Sequence, residues 1–176
     1  MILRLSQKLS TKIKAGTLKA MPLDENPYAD WSCHLFTAGR TQYIIVSNTQ
    51  SLYSCVLYGK GITNEYPFIE RVLSSLREFM VDDGQLMIYQ RLVAPTRNAV
   101  RFAKALNRTV TGSMNDLIGH ATGWLEYGDI APHDLGLRLN DVLLSVLAID
   151  KSAKYGKPND AFKMLAEVHS PGVSRG

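Results

Sequence analysis

Long apolar runs are missing from this chain. No uncharged hydrophobic stretch approaches the roughly 18–20 residues that span a bilayer, and the longest candidate, Val142 to Ile149, falls far short. The opening Met1-Ile2-Leu3-Arg4-Leu5-Ser6-Gln7-Lys8-Leu9 is broken by charge before the apolar centre of a signal peptide can form. The expectation is a protein with no membrane contact. Cysteine is scarce as well: Cys33 and Cys55 cannot build a disulfide framework. Both fall in apolar, strand-like runs, where a reduced cysteine behaves as a small hydrophobe. A pairing between neighbouring strands, or a reactive thiol, is the competing reading. Reduced thiols fit a cytoplasmic address.

The compact signatures of catalysis are also missing. There is no Gly-Lys-Ser/Thr phosphate loop, no Gly-rich dinucleotide fingerprint and no G-x-S-x-G nucleophile elbow. The histidines, His34, His120, His133 and His169, are spread without metal-ligand spacing. Asp82 and Asp83 suit a helix end better than an acid–base dyad. No metal and no cofactor is expected.

Acid is missing from two stretches. Before Asp24 the chain carries Arg4, Lys8, Lys12, Lys14 and Lys19 and no carboxylate. Between Asp83 and Asp116 it carries Arg91, Arg97, Arg101, Lys104 and Arg108, again with none. Half of the 20 basic residues and none of the 16 acidic ones lie there, so the rest of the chain is net negative although the whole is +4. Brought together, these segments would form a basic face for phosphate backbones or an acidic partner. Scattered, they are solvated charges with no common purpose. A metal-dependent nuclease needs carboxylates beside such a face, and neither segment holds one.

What is present is an ordinary globular core. The 176 residues are 45% hydrophobic and 20% charged, the balance of one folded domain, read here as residues 1–169 with a flexible tail at 170–176. Met1 to Leu5 reads as a strand. Ser6 offers an N-cap for a helix through Ile13, stopped by Gly16. Three β-rich runs, 32–37, 41–47 and 52–58, are separated by tight-turn sequences and predict an antiparallel meander. Its middle strand is apolar on both faces. Phe68, Ile69, Val72, Leu73, Leu76, Phe79 and Met80 predict a helix over 65–81, capped by Asn64 and stopped by Asp82-Asp83-Gly84. Residues 85–93 are ambiguous between helix and strand. A strand over 99–104, helices over 113–126 and 158–168, and a helix from Pro132 through Leu147 complete the outline. Gly119 and Gly123 suggest close approach by another element. The pattern is α+β: an antiparallel β-meander packed with several helices, without βαβ alternation.

One segment carries a mechanism: Asn107-Arg108-Thr109-Val110-Thr111-Gly112-Ser113-Met114-Asn115-Asp116. Ser113 and Asp116 match a capping box, with Gly112 turning the chain into the helix and Asn107 and Arg108 ending the preceding strand. The same helix start supports a second reading. Free N–H groups, the Thr109, Thr111 and Ser113 hydroxyls, Gly112, Asn107 and the Arg108 guanidinium could hold a phosphate. Asp116 opposes that reading, because a first-turn carboxylate competes for the same positive site.

The opening Ile2-Leu3-Arg4-Leu5-Ser6-Gln7-Lys8-Leu9, the meander and the Asn107–Asp116 segment together resemble a family of uncharacterised bacterial proteins with an Asn-Arg-Ser-Val-x-Gly-Ser-Met-Asn-Asp core. Thr109 stands where that pattern has serine, which keeps the hydroxyl. The resemblance runs over most of the chain and implies a bacterial or mobile-element origin and a cytoplasmic setting. It implies no activity, cofactor or catalytic residue.

Two functions stay open on the sequence. The leading expectation is a non-enzymatic binding or regulatory protein. Its basic face, centred on Arg91, Arg97, Arg101, Lys104, Lys8 and Lys12, would meet nucleic acid or an acidic protein. The alternative is an enzyme acting on a phosphorylated or nucleic-acid substrate through Arg108, Ser113, Asn115 and Asp116.

Overall fold

The computed structural model describes residues 1–148 and 152–168. The predicted tail at 170–176 and His169 lie outside them.

The chain opens with a fully buried strand, β1 (Ile2–Leu5). Ser6 then caps α1 (Gln7–Lys12), its Oγ accepting from the Leu9 N–H at 3.3 Å. The helix ends where predicted, with Ile13 at its C-cap, but Lys14, in the left-handed conformation at φ 56°, makes the turn before Gly16 is reached. The meander follows as expected: β2 (Asp30–Ala38), β3 (Thr41–Asn48) and β4 (Ser54–Tyr58). Gly39, at φ 57°, makes the first hairpin turn. Ile44, Ile45 and Val46 of β3 are fully buried on both faces.

The sheet as a whole is not a meander, and here the expectation needs correction. Its five strands lie in the order β4-β3-β2-β1-β5, and β1 pairs in parallel with both β2 and β5 (Arg101–Lys104). The antiparallel part was visible because hairpins are local. The parallel pairs join segments about 28 and 100 residues apart, and no turn chemistry announces them.

α2 (Glu65–Asp82) buries Phe68, Val72, Leu76, Phe79 and Met80, and Gly84 at φ 74° turns the chain after it. Asn64 stands at its N-cap position but makes no side-chain capping bond. The ambiguous stretch is helical. A short turn, α3 (Leu86–Ile88), runs into a wide turn at Tyr89–Val93 and a tight one at Ala94–Thr96. Tyr89 and Val93, four residues apart, face the core. The chain then forms β5, α4 (Arg108–Tyr127), α5 (Pro132–Leu139), one tight turn at Ser145–Leu147 and α6 (Pro158–Val168).

The predicted helix from Pro132 through Leu147 stops at Leu139, and Asn140 supplies the reason. Its side-chain amide pairs with the edge of β4, Oδ1 accepting from the Ser54 N–H at 2.7 Å and Nδ2 donating to the Ser54 carbonyl at 3.0 Å. α5 thereby lies along β4 and shields that edge of the sheet. The approach is close enough that a Cβ on Gly136 would sit 2.7 Å from the Phe79 ring and 3.3 Å from the Ser54 carbonyl. Gly119 and Gly123, expected to admit a neighbour, face open space instead.

The alternating strand residues divide the interior in two. Cys33, Ile44, Val46, Cys55 and Leu57 meet α1, α2 and α6 on one face. Phe36, Tyr43, Ile45 and Val56 meet α4 and α5 on the other. Cys33 and Cys55 are both free and buried. Each pairs with Val46 from opposite sides, so two strand spacings, about 9–10 Å, separate them, beyond disulfide reach. Burial pushes the Cys33 thiol well above its ordinary pKa and the Cys55 thiol up to about 12. Both behave as small hydrophobes.

Arg4 is not part of any basic face. It forks onto Asp30, with Nε 2.8 Å from Oδ1 and Nη2 2.7 Å from Oδ2, and also donates to the Met21 and Pro22 carbonyls. Asp30 accepts further from Thr49 Oγ1 and the Asp24 N–H. This buried ion pair pins the extended segment after α1 against the sheet.

Candidate functional site: a groove beyond the ends of two parallel strands

β1 and β5 run in parallel and finish together, Leu5 beside Lys104. Each leads into a helix, capped by Ser6 for α1 and by Asn107 for α4. The helices leave on opposite faces: α1 sends Leu9 and Ile13 into one core, α4 sends Met114, Leu117 and Ala121 into the other. Strand ends whose following helices diverge leave a crevice, the arrangement at which open α/β sheets commonly bind ligands.

The crevice is a groove of two adjoining lobes, about 940 and 820 Å³. Ser6, Gln7, Thr11, His34 and Thr111 line both. Lys14, Ser10 and Lys104 belong to the first lobe, and Lys8, Phe36, Gln42, Asn115 and Ile118 to the second. Not one carboxylate lines either lobe. Lys8, Lys14 and Lys104 are exposed at the rim. Lys12 is engaged, its Nζ donating to Gln42 Oε1 at 2.8 Å.

Two polar side chains in the groove stand out by what they lack. His34 is 7% exposed and Ser10 is likewise 7% exposed, yet neither side chain has a hydrogen-bond partner among the described residues. Among the described residues the fully buried side-chain atom without a partner is Asn159 Oδ1, so the polar atoms of His34 and Ser10 reach solvent in the groove, where a ligand can meet them. Burial also holds the His34 imidazole below its ordinary pKa of 6.5, which keeps the ring neutral. Neither residue was legible as a site. His34 appeared as one of several dispersed histidines, and the sole signal was a polar side chain inside an otherwise apolar strand.

The segment singled out from sequence contributes differently than predicted. α4 starts at Arg108, five residues before Ser113, and its cap is Asn107, whose Oδ1 accepts from the Val110 N–H at 2.9 Å. The capping box does not form. Ser113 is buried one turn inside the helix, donating to the Thr109 carbonyl at 3.0 Å, and Gly112 is an exposed helical residue. Thr111 reaches the groove, though its hydroxyl donates back to the Asn107 carbonyl at 3.1 Å. Arg108 and Thr109 are exposed in the first turn, and Arg108 has no ion pair among the described residues. Asp116 lines a separate shallow pocket with His120 and Leu143. Arg108, Ser113, Asn115 and Asp116 therefore do not converge on one point, and the set named for an enzyme is not assembled.

The basic segments divide between the two ends of β1. Lys8, Lys12, Lys14 and Lys104 gather at its carboxyl end around the groove, with Arg108 in the adjoining first turn of α4. Arg97 lies at the other end, in the turn whose Thr96 and Ala99 carbonyls accept from the Met1 amino group. Arg101 opens β5 on that side and sits 3.9 Å from Asp24. Arg91 is exposed in the preceding helical turns.

Among the described residues no group of three or more His, Cys, Asp or Glu is placed to hold a metal ion, and no helix is long and apolar enough to cross a membrane. The fold and groove define an α+β domain with a mixed five-stranded sheet and an acid-free crevice at the ends of its parallel strands. The family described as a domain of unknown function, DUF6933, matches residues 2–161, and the chain belongs to it. No curated protein and no solved structure matches the chain.

Proposed function

We propose that this is a binding protein, not an enzyme, and that its groove holds the phosphate of a nucleotide or nucleic-acid ligand. One observation carries the reading: a ligand-sized groove lined by Lys8, Lys14 and Lys104, with His34 and Ser10 unpaired, contains no carboxylate. Cations at the rim attract an anion, and the groove-facing polar atoms of His34 and Ser10, which have no protein partner among the described residues, are open to one. Arg108 and the first turn of α4 add positive character at the same end of the sheet. A bacterial cytoplasm is part of the proposal. It is supported by the two buried, unpaired thiols and by the sequence resemblance.

Fluorescence anisotropy of a labelled single-stranded RNA and a labelled nucleoside monophosphate, at low and moderate salt, tests this. The expected result is salt-sensitive binding, weakened about tenfold or more by Lys104→Ala, the scale of one charge-assisted hydrogen bond. Arg91→Ala, which lines neither lobe, is expected to leave affinity unchanged. Equal losses from the two variants would mean diffuse surface charge and end the groove reading. Binding to polyglutamate with none to either phosphate probe would redirect the search to an acidic protein.

A further inference from the structure

We infer that His34 selects a tetrahedral oxyanion in the groove and takes up a proton as that oxyanion binds, so the complex weakens as pH rises. The inference rests on the reading of the groove as a phosphate site and names the group that recognises the phosphate.

The geometry comes first. His34 lies where the two lobes join, more than nine-tenths buried, and neither ring nitrogen meets a protein partner among the described residues. A neutral imidazole offers one donor and one acceptor; an imidazolium offers two donors. Ser10, also buried and unpaired, lines the same lobe and adds a hydroxyl donor. A tetrahedral oxyanion presents several acceptors at once and satisfies both residues. A neutral ligand leaves the imidazolium uncompensated.

The charges facing the ring explain the proton. α1 contributes Lys8 and Lys14, and the end of β5 contributes Lys104. α4 lines the groove with the uncharged Thr111, Asn115 and Ile118, carries Arg108 in its first turn and holds Asp116 in the neighbouring pocket, and β3 contributes Gln42. On the same face of the sheet Arg4 and Asp30 neutralise each other. No carboxylate lines either lobe, and burial is what opposes protonation of the free ring. A bound dianion reverses the balance. The proton moves from solvent to the unprotonated ring nitrogen, and no other bond changes. Between the depressed value of the free ring and the raised value in the complex, the complex carries one more proton than the free protein. Affinity then falls by up to about tenfold per pH unit as pH rises through that window.

Sulfate is the informative probe, because it does not itself titrate between about pH 5 and 8. Calorimetric titration of the full chain with sulfate, in two buffers of different ionisation enthalpy, measures protons taken up per ion bound. Uptake approaching one proton is expected for the wild type, and none for His34→Asn, whose affinity should not depend on pH. The His34 ring proton resonance, followed against pH with and without sulfate, reports the same event in the unmutated protein and does not depend on the variant folding. Phenyl phosphate run beside sulfate separates a free oxyanion from an esterified one, since only the ester gains affinity from its ring; uptake at His34 is required in both cases. Sulfate binding without proton uptake, or an unmoved His34 titration, overturns the inference. Failure of sulfate to bind while a nucleotide still binds in a Lys104-dependent manner also overturns it, yet leaves the groove reading standing. Failure of every phosphate and sulfate probe removes both.

Discussion

Arg4 and Asp30 hold opposite charges with side-chain exposures of 1% and 0%. Such a pair is costly to break, because the partner left behind is a buried, uncompensated charge. Arg4→Met is expected to lower unfolding stability by about 3–5 kcal/mol in urea denaturation. Arg4→Lys, which keeps the charge but loses the two-pronged contact, should fall between that variant and the wild type. In the sequence Arg4 was one more member of an acid-free basic stretch. Its partner lies 26 residues away, brought near only by the parallel pairing of β1 with β2. His34 leads to a separate expectation for the ligand-free protein. Its folded pKa is depressed, so the unfolded chain binds more protons as pH falls below 6.5. The stabilising contribution of the neutral buried ring is present above that value and lost as pH falls through it. Melting temperatures measured from pH 8 to 5 should therefore drop more steeply for the wild type than for His34→Asn.

Elements whose causes are local were read well, and elements set by distant partners were not. The hairpins, α2 and the capped start of α1 each follow from neighbouring residues. The start of α4 was misplaced because Gly112-Ser113 with Asp116 imitates a helix entry, whereas Thr109, Val110, Thr111 and Gly112 are poor helix formers. The structure makes them helical because Asn107 caps them and Met114, Leu117 and Ala121 seat the helix in the core. The two assignments differ measurably. Asn107→Ala should cost about 1 kcal/mol, as for a lost N-cap. Ser113→Ala, which removes only a bond back to Thr109, should cost much less. Thermal unfolding of both variants distinguishes them. The groove was only half legible: its lysines were conspicuous as a run without acid, but the bond between Lys12 and Gln42 and the placing of His34 depend on strands and helices meeting in space.

Across the whole molecule the sheet separates two cores, and α6 closes one of them from late in the chain. Phe162 is fully buried, stacked on Tyr53 at 4.1 Å and edge-on to Tyr28 at 4.9 Å, with Trp31 at 6.1 Å. The Tyr28 hydroxyl donates to its carbonyl at 2.6 Å. Phe162→Ala is expected to cost about 3–5 kcal/mol, the range for truncating a large buried ring. Guanidinium unfolding followed by near- and far-ultraviolet circular dichroism checks this, and loss of the aromatic signal ahead of the helical one would show a populated intermediate.

The position of Phe162 also sets an order on biosynthesis. A ribosome delivers Tyr28, Trp31 and Tyr53 long before the ring that covers them, and β1 waits for residues 101–104 to gain its outer neighbour. The nascent chain must therefore carry an open aromatic cage through most of its translation, when exposed apolar surface is most prone to stray association. A chain stalled before residue 158 should engage chaperones strongly, and the same chain extended past Phe162 should release them.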